Sequence, residues 1–268
     1  MDFGLNGVHV LVTGASGGIG LETARLYCSI GANVTAHYNT KFGPLEELSK
    51  AYPTLQTLQS DLSDETSVSN MFSSLSQKPH GPVQIAIVNH GIWPAEDVPL
   101  AEMSLERWNH TIAANLTSSF LVCREYLKAL AGTTPEIREK ASIVLIGSTA
   151  GKYGEAGHAD YAVTKSAMMY GLTLTLKNEI VKIAPKGRVN AVAPGWVRTP
   201  MAEAALQDPE VVYRALATTP LKKVAMPVDI ANQIVVLSST TVSSHVTGQV
   251  LMVEGGMEGR LLNTPQDL

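Results

Sequence analysis

The sequence predicts an α/β protein, a doubly wound seven-stranded parallel sheet with helices on both faces. Three observations carry that prediction. Seven short apolar runs alternate with longer stretches of helical periodicity; strands buried on both faces read as continuous apolar runs, and parallel neighbours need a crossover that is usually a helix. The first run passes straight into a glycine-rich turn, and that turn into a helical pattern. The chain has 268 residues, 45% of them hydrophobic and 16% charged, the balance of a chain that folds around one large core, so a single domain over residues 1–268 is expected.

The elements follow in order. VHVLVT, residues 8–13, is the first strand, TGASGGIG from Thr13 to Gly20 is the turn, and IGLETARLYCSI begins the first helix. ANVTAH, residues 32–37, is the second strand, and Pro44 sits where a first helical turn tolerates the missing N–H. LQTLQS (55–60) and VQIAIVN (83–89) are the third and fourth strands, after which Ser104, Glu106 and Arg107 mark the start of a long helix. SIVLIG, residues 142–147, is the fifth strand. Between Asp160 and Ile183 the apolar positions, Val163, Met168, Met169, Leu172, Leu174, Leu176 and Ile180 among them, spread beyond one stripe. One face of that helix packs on the sheet, and a partner subunit using the same helix about a two-fold axis, in a homotetramer or homodimer, is the expected cover for the rest. RVNAVA (188–193) is the sixth strand; the Ala-rich stretch 199–220 reads as a flap over a substrate; Pro227 opens another helix; and QVLMV (249–253) closes the sheet.

The composition excludes several classes of function. A formal net charge of −4 and the absence of a basic run argue against nucleic acid as a partner. No apolar stretch approaches the roughly 20 residues that span a bilayer, and the opening residues carry an acid where a signal peptide carries positive charge. Cys28 and Cys123 fall in separate helical stretches and read as free thiols of a reducing, cytoplasmic compartment. No metal site is read from the sequence.

Three clusters carry chemistry. Gly14, Gly18 and Gly20 lie between a strand and a helix, where backbone amides can receive a dinucleotide pyrophosphate. Tyr161 and Lys165 stand four residues apart, on one face of a helix. Ser148 ends an apolar strand thirteen residues before Tyr161, at the sheet edge where open α/β folds bind ligands.

TGASGGIG resembles the TGxxxGxG turn of the short-chain dehydrogenase/reductase family, and the resemblance continues through Asp61-Leu62, the NHG of Asn89 to Gly91, Asn115, Ser148, YAVTK and the PGWVRTP of Pro194 to Pro200. It implies a single-domain Rossmann-fold oxidoreductase, 3-oxoacyl-reductase-like or carbonyl-reductase-like, that moves hydride to or from a nicotinamide. Tyr161 would be the proton donor, Lys165 the cation that acidifies its phenol and holds the nicotinamide ribose, Ser148 the donor that orients the carbonyl, and Asn115 the holder of a water on a path to Lys165. Gly14, Ser16, Gly18, Ile19 and Gly20 would cradle the pyrophosphate. Asp61 and Leu62 would meet the adenine, Asn89 and Gly91 the adenosine ribose, and Pro194, Gly195, Val197 and Thr199 the nicotinamide. Plain alternatives stand beside these roles: Asp61 as a helix cap, Asn89 as a strand end, His90 as a bystander.

The ribose 2′ position is read after the second strand, where an acid selects NAD. Between Glu22 and Glu46 there is none, and the strand ends in Tyr38, Asn39, Thr40 and Lys41, which favours NADP(H) over NAD(H). Trp93, Gly154, Glu155, Trp196 and Met201 are the candidate substrate pocket, suited to a broad ketone or aldehyde reductase. An NAD-dependent alcohol or polyol dehydrogenase is the alternative, and a non-catalytic nicotinamide sensor a third reading, disfavoured by intact Ser148, Tyr161 and Lys165.

Overall fold

The computed structural model describes residues 2–261 and 263. In chain order the elements are β1 (His9–Val12), α1 (Gly18–Ser29), β2 (Asn33–Tyr38), α2 (Glu46–Ala51), β3 (Gln56–Gln59), α3 (Glu65–Leu75), β4 (Ile85–Val88), α4 (Leu105–Thr111), α5 (Ser118–Ala131), α6 (Pro135–Arg138), β5 (Ser142–Ile146), α7 (Thr149–Tyr153), α8 (Ala159–Ser166), α9 (Thr173–Ile183), β6 (Arg188–Pro194), α10 (Pro209–Leu216), α11 (Pro227–Ser238) and β7 (Val250–Val253). Each of the seven expected strands is present. They form one sheet in the order β3-β2-β1-β4-β5-β6-β7, parallel throughout.

Strand alternation divides the core in two. Leu11, Ile143 and Leu145 point to the face covered by α3, α5 and α9, where Phe72, Leu121, Tyr126, Leu176 and Ile180 pack on them. Val10, Val12, Val144 and Ile146 point to the opposite face and meet Tyr27 of α1, Leu48 of α2 and Ile234 of α11. Burying a side chain of this size stabilises a fold by about 1.5–3 kcal/mol. The two buried phenols keep partners: Tyr27 Oη bonds to Ser238 Oγ at 2.6 Å, and Tyr126 Oη donates to the carbonyl of Gln84 at 2.6 Å.

Two long helices bend around the site. Ser104 caps α4 by accepting from the Arg107 N–H at 3.2 Å, and a π-helical turn, Ile112–Thr117, joins α4 to α5. A second π turn, Ala167–Leu172, joins α8 to α9. Such turns insert a residue and re-aim the side chains beside them. Here they flank Asn115 and Lys165. No helix among the described residues is long and apolar enough to cross a membrane.

Candidate active site

The strand order reverses between β1 and β4, which opens a crevice beyond their carboxyl ends. The glycine turn enters it from β1. Gly14 adopts φ 62°, and a Cβ there would lie 2.8 Å from the Cα of His90. At Gly20 a Cβ would come within 2.6 Å of Asn89 Nδ2, the group that donates to the carbonyls of Thr13 and Gly14, both at 3.1 Å. Asn89 therefore locks the two strand ends together as well as ending one of them. Behind Gly17 no side chain caps α1, so its first amides remain for an anion. The turn fits a dinucleotide pyrophosphate, with Ser16 and Ile19 half-buried on its rim.

His90 is a structural residue. Its Nε2 meets Ser118 Oγ and its Nδ1 meets Thr13 Oγ1, each at 2.8 Å. Ser118 Oγ also donates to the Ala114 carbonyl at 2.7 Å and Thr13 Oγ1 to the Ile87 carbonyl at 3.0 Å, so a neutral ring is held between two hydroxyls that are themselves anchored to the backbone. Burial first, then nearby His37 and Lys165, hold His90 well below the usual histidine range, in keeping with this neutral form. The ring is a strut between the glycine turn and α5.

After β2, Tyr38 lies against Phe42 with ring centroids 5.3 Å apart, and Asn39, Thr40 and Lys41 are exposed beside the crevice. Asp61 is exposed and accepts from Ser63 N–H at 2.9 Å; the cap of α3 is Asp64, which accepts from Ser67 N–H at 2.6 Å. The helix-cap alternative thus falls to a different residue. Leu62 is 4% exposed and its side chain belongs to the core, so only its backbone is left for a ligand.

The chemistry sits at the end of β5. Ser148 caps α7 by accepting from Ala150 N–H at 3.1 Å, and α8 crosses α7 closely because Gly151 lacks a side chain; a Cβ there would lie 2.8 Å from the carbonyl carbon of Lys165. This crossing brings Ser148 up to Tyr161 closely enough to stabilise the phenolate by hydrogen bonding. Lys165 Nζ lies 5.6 Å from the centre of the Tyr161 ring and donates to the carbonyl of Ile146 at 2.8 Å. At Gly91 a Cβ would stand 3.0 Å from Asn115 Oδ1 and 3.7 Å from Lys165 Nζ, so a bare backbone is what lets the two converge.

The electrostatics differ from expectation. Burial pushes the Tyr161 phenol up to about 12, and Glu155 raises it further, against the lowering by Ser148 and Arg260. Burial also draws Lys165 down to about 8. Burial dominates both groups, and the side chains that lower the phenol against it are Ser148 and Arg260.

Asn115 is fully buried, and its side chain is occupied. Oδ1 accepts from Ile92 N–H at 2.7 Å, and Nδ2 donates to the Ile92 carbonyl at 2.9 Å. Its main-chain carbonyl accepts from Ser119 Oγ at 2.6 Å. Next to Tyr161, the buried Asp160 accepts from Thr111 Oγ1 at 2.8 Å and from Arg107 Nε at 3.2 Å, while Arg107 also holds the carbonyls of Glu96 and Gly157. Burial would raise the Asp160 carboxyl, but these bonds hold it below its ordinary value.

Pro194 ends β6, and the Gly195 N–H donates to Val253 at 3.1 Å. A parallel bridge pairs Val197 with Ala225 through Arg198 N–H and the Trp196 carbonyl, which leaves Val197's own N–H and C=O on the other side of the chain. Thr199 reaches the glycine turn: a Cβ on Gly18 would lie 2.7 Å from its methyl.

The expected substrate residues divide. Trp93 stacks on His158 with centroids 4.8 Å apart and meets Trp196 edge-on at 6.1 Å. Glu155 stands close to Tyr161, whereas Gly154, at φ 75°, is an exposed helix end. Met201, in the turn after Thr199, is 52% exposed. Trp196 also lines a cavity of about 200 Å³ with Leu216, Leu221, Glu254 and Met257. Arg260, which sequence reasoning missed, lies 3.6 Å from Glu155 and 3.5 Å from Thr149 Oγ1. A lone cation just past the last strand gives no periodic or motif signal.

The family model described as enoyl-(acyl carrier protein) reductase matches residues 14–258. The 3-oxoacyl-(acyl-carrier-protein) reductase FabG of Thermotoga maritima is 33% identical over 259 residues, covering 94% of this chain and 98% of its own. A solved short-chain dehydrogenase/reductase from Brucella melitensis, a glucose/ribitol dehydrogenase, superposes with a TM-score of 0.83 at 32% identity, covering 96% of this chain and 99% of its own. The chain belongs to the short-chain dehydrogenase/reductase family. A protein of Beutenbergia cavernae assigned as an NAD(P)-dependent gluconate 5-dehydrogenase, solved with NADP bound at low occupancy, gives a TM-score of 0.84 at 30% identity, with 96% and 99% covered. As a short-chain dehydrogenase/reductase this protein is an oxidoreductase of the CH–OH/C=O pair.

Proposed function

We propose that the enzyme reduces a ketone or aldehyde to the alcohol with NADPH, Tyr161 supplying the proton. The observation that carries this reading is the meeting of the Ser148 and Tyr161 side chains at the rim of the crevice that holds the uncapped start of α1. When bound, the nicotinamide supplies the hydride. Ser148 then donates to the carbonyl oxygen and orients it, and the Tyr161 hydroxyl delivers its proton as negative charge grows there. Lys165 holds a positive charge beside the ring and offers donors to the cofactor ribose. The Asn115 carbonyl, with one lone pair on Ser119, keeps the second for a water on the path to Lys165. The free edge of Val197 and the hydroxyl of Thr199 hold the nicotinamide carboxamide, and Asp61, the Leu62 backbone, Asn89 and Gly91 line the adenosine.

NADP(H) is supported by the exposed Asn39, Thr40 and Lys41, with no carboxylate among them, and by the Beutenbergia relative's bound NADP. Cofactor binding and catalysis share one domain, with residues 199–220 as its flap. The half-exposed Val163, Tyr170, Leu174 and Val181 along the helix through α8 and α9, at 44%, 44%, 39% and 40%, support a homotetramer or homodimer, which light scattering reads directly. The free thiols of Cys28 and Cys123 support a reducing, cytoplasmic setting. Likeness to the glucose/ribitol dehydrogenase favours a second reading, NAD-dependent oxidation of an alcohol or polyol. A panel of ketones, aldehydes, polyols and acetoacetyl-CoA with both nicotinamides, followed at the reduced-nicotinamide absorbance, separates the two; faster oxidation with NAD than reduction with NADPH would reject the first.

A further inference from the structure

Beyond β7 the chain turns back over the catalytic edge and is fastened on two sides. Leu221 N–H donates to the Gly255 carbonyl at 3.1 Å, Glu258 N–H to Thr218 at 3.1 Å, and Thr218 Oγ1 to Gly259 at 2.6 Å, which ties the segment to the base of the flap. Tyr153 Oη donates to the Met257 carbonyl at 2.7 Å, which ties it to α7. These bonds deliver Arg260 to the catalytic edge. Its Nη2 lies 3.6 Å from Glu155 Oε2 and 3.5 Å from Oγ1 of Thr149, the residue after Ser148.

Neither contact is tight. The two side chains are only 23% and 14% exposed, and Arg260 Nε is shut from water with no partner among the described residues. A guanidinium carries five N–H donors, so most of its capacity is unused among the described residues. Both charges act on that phenol, Glu155 raising it and Arg260 lowering it.

The chemistry of the pair selects among substrates. Guanidinium and carboxylate together are neutral, and Asp97, at 3.3 Å from His158, is negative, so the pair itself holds no net charge to recruit an anion. An alkyl group would leave unfilled donors and acceptors in a half-dry wall, which costs free energy. A hydroxyl accepts from arginine and donates to glutamate at once. The edge-to-face Trp93 and Trp196 rings add an apolar surface for its carbon skeleton.

We propose that Glu155 and Arg260 form a recognition pair for a hydroxyl group on a carbon next to the substrate carbonyl, so that the enzyme takes hydroxylated ketones in preference to plain alkyl ketones. This rests on the carbonyl-reductase reading above.

The test compares three ketones matched in size: 1-hydroxybutan-2-one, butan-2-one and 2-oxobutanoate, each with NADPH. The hydroxyketone is expected to lead the other two in kcat/KM by about 10-fold or more. In Arg260→Leu and in Glu155→Gln the ratio of hydroxyketone to butan-2-one falls at least several-fold, with thermal unfolding used to confirm that each variant is folded. Equal use of butan-2-one, preference for 2-oxobutanoate or for acetoacetyl-CoA, or a ratio unchanged in both variants overturns the pair's role while leaving the reductase reading in place. Lack of turnover of every carbonyl with either nicotinamide removes the reductase reading and this inference together.

Discussion

Lys165 donates through Nζ to the main-chain carbonyl of Ile146 at 2.8 Å, which ties the helix bearing Tyr161 to the strand end that leads into Ser148. A charge-assisted bond of this kind is shorter and roughly twice as strong as a neutral one. It spans two elements that share no local sequence pattern and sets the separation of the two hydroxyls the reaction uses.

Tyr161→Phe keeps the ring beside Lys165 and deletes only the proton donor. Turnover is expected to fall by about 10²–10⁴-fold, with NADPH affinity within a few-fold of the parent. Steady-state rates and a fluorescence titration of the cofactor measure the two quantities; near-parental kcat would refute the role given to this phenol.

Lys41→Ala removes the exposed cation of the turn that follows β2. The kcat/KM with NADPH is expected to drop by about 10-fold, one tenfold factor being close to one charge-assisted bond, while NADH changes little. Equal losses for the two cofactors would place the 2′-phosphate elsewhere.

Arg107→Met strands Asp160, which is wholly buried and pairs with Arg107 Nε at 3.2 Å. Removing one partner of a buried pair costs about 3–5 kcal/mol. Urea unfolding at neutral pH should register that loss, and kcat should fall with it, because Asp160 adjoins Tyr161; an unchanged midpoint would show that Thr111 suffices.

Three buried histidines make stability depend on pH in the acid direction. Burial draws His9 from 6.5 to about 4, and His37 and His90 move the same way. Each folded pKa lies below its unfolded value, so the unfolded chain binds more protons in that window. Stability is therefore complete above about 6.5 and declines as pH falls toward 4. Between pH 7 and 5, His9 alone contributes a loss on the order of 2 kcal/mol. Unfolding free energies at the two pH values check this, and His9→Gln should flatten the difference; a flat profile in the parent would contradict the assignment.

Much of the site was legible because its signals are local. A strand running into TGASGGIG, a serine at the end of SIVLIG, and a tyrosine and lysine one helical turn apart are fixed by backbone periodicity within a few residues. Asn115 was legible as a site residue, although its side chain proved to brace Ile92. The bonds His90 makes and the exposure of Met201 were not legible for one reason: a loop residue's direction depends on what packs against it.

By itself, then, the sequence determined the seven strands, the glycine turn between the first strand and helix, and the shared face of Tyr161 and Lys165, since each follows from alternation, glycine spacing or helical repeat. Only the tertiary structure decided that Ser148 meets Tyr161, that burial drives the phenol up to about 12 instead of down, and that Arg260 returns from beyond the last strand to face Glu155. Those outcomes depend on which elements cross and how completely they exclude water, and the free energies of crossing and desolvation are properties of the assembled fold rather than of any short stretch of chain.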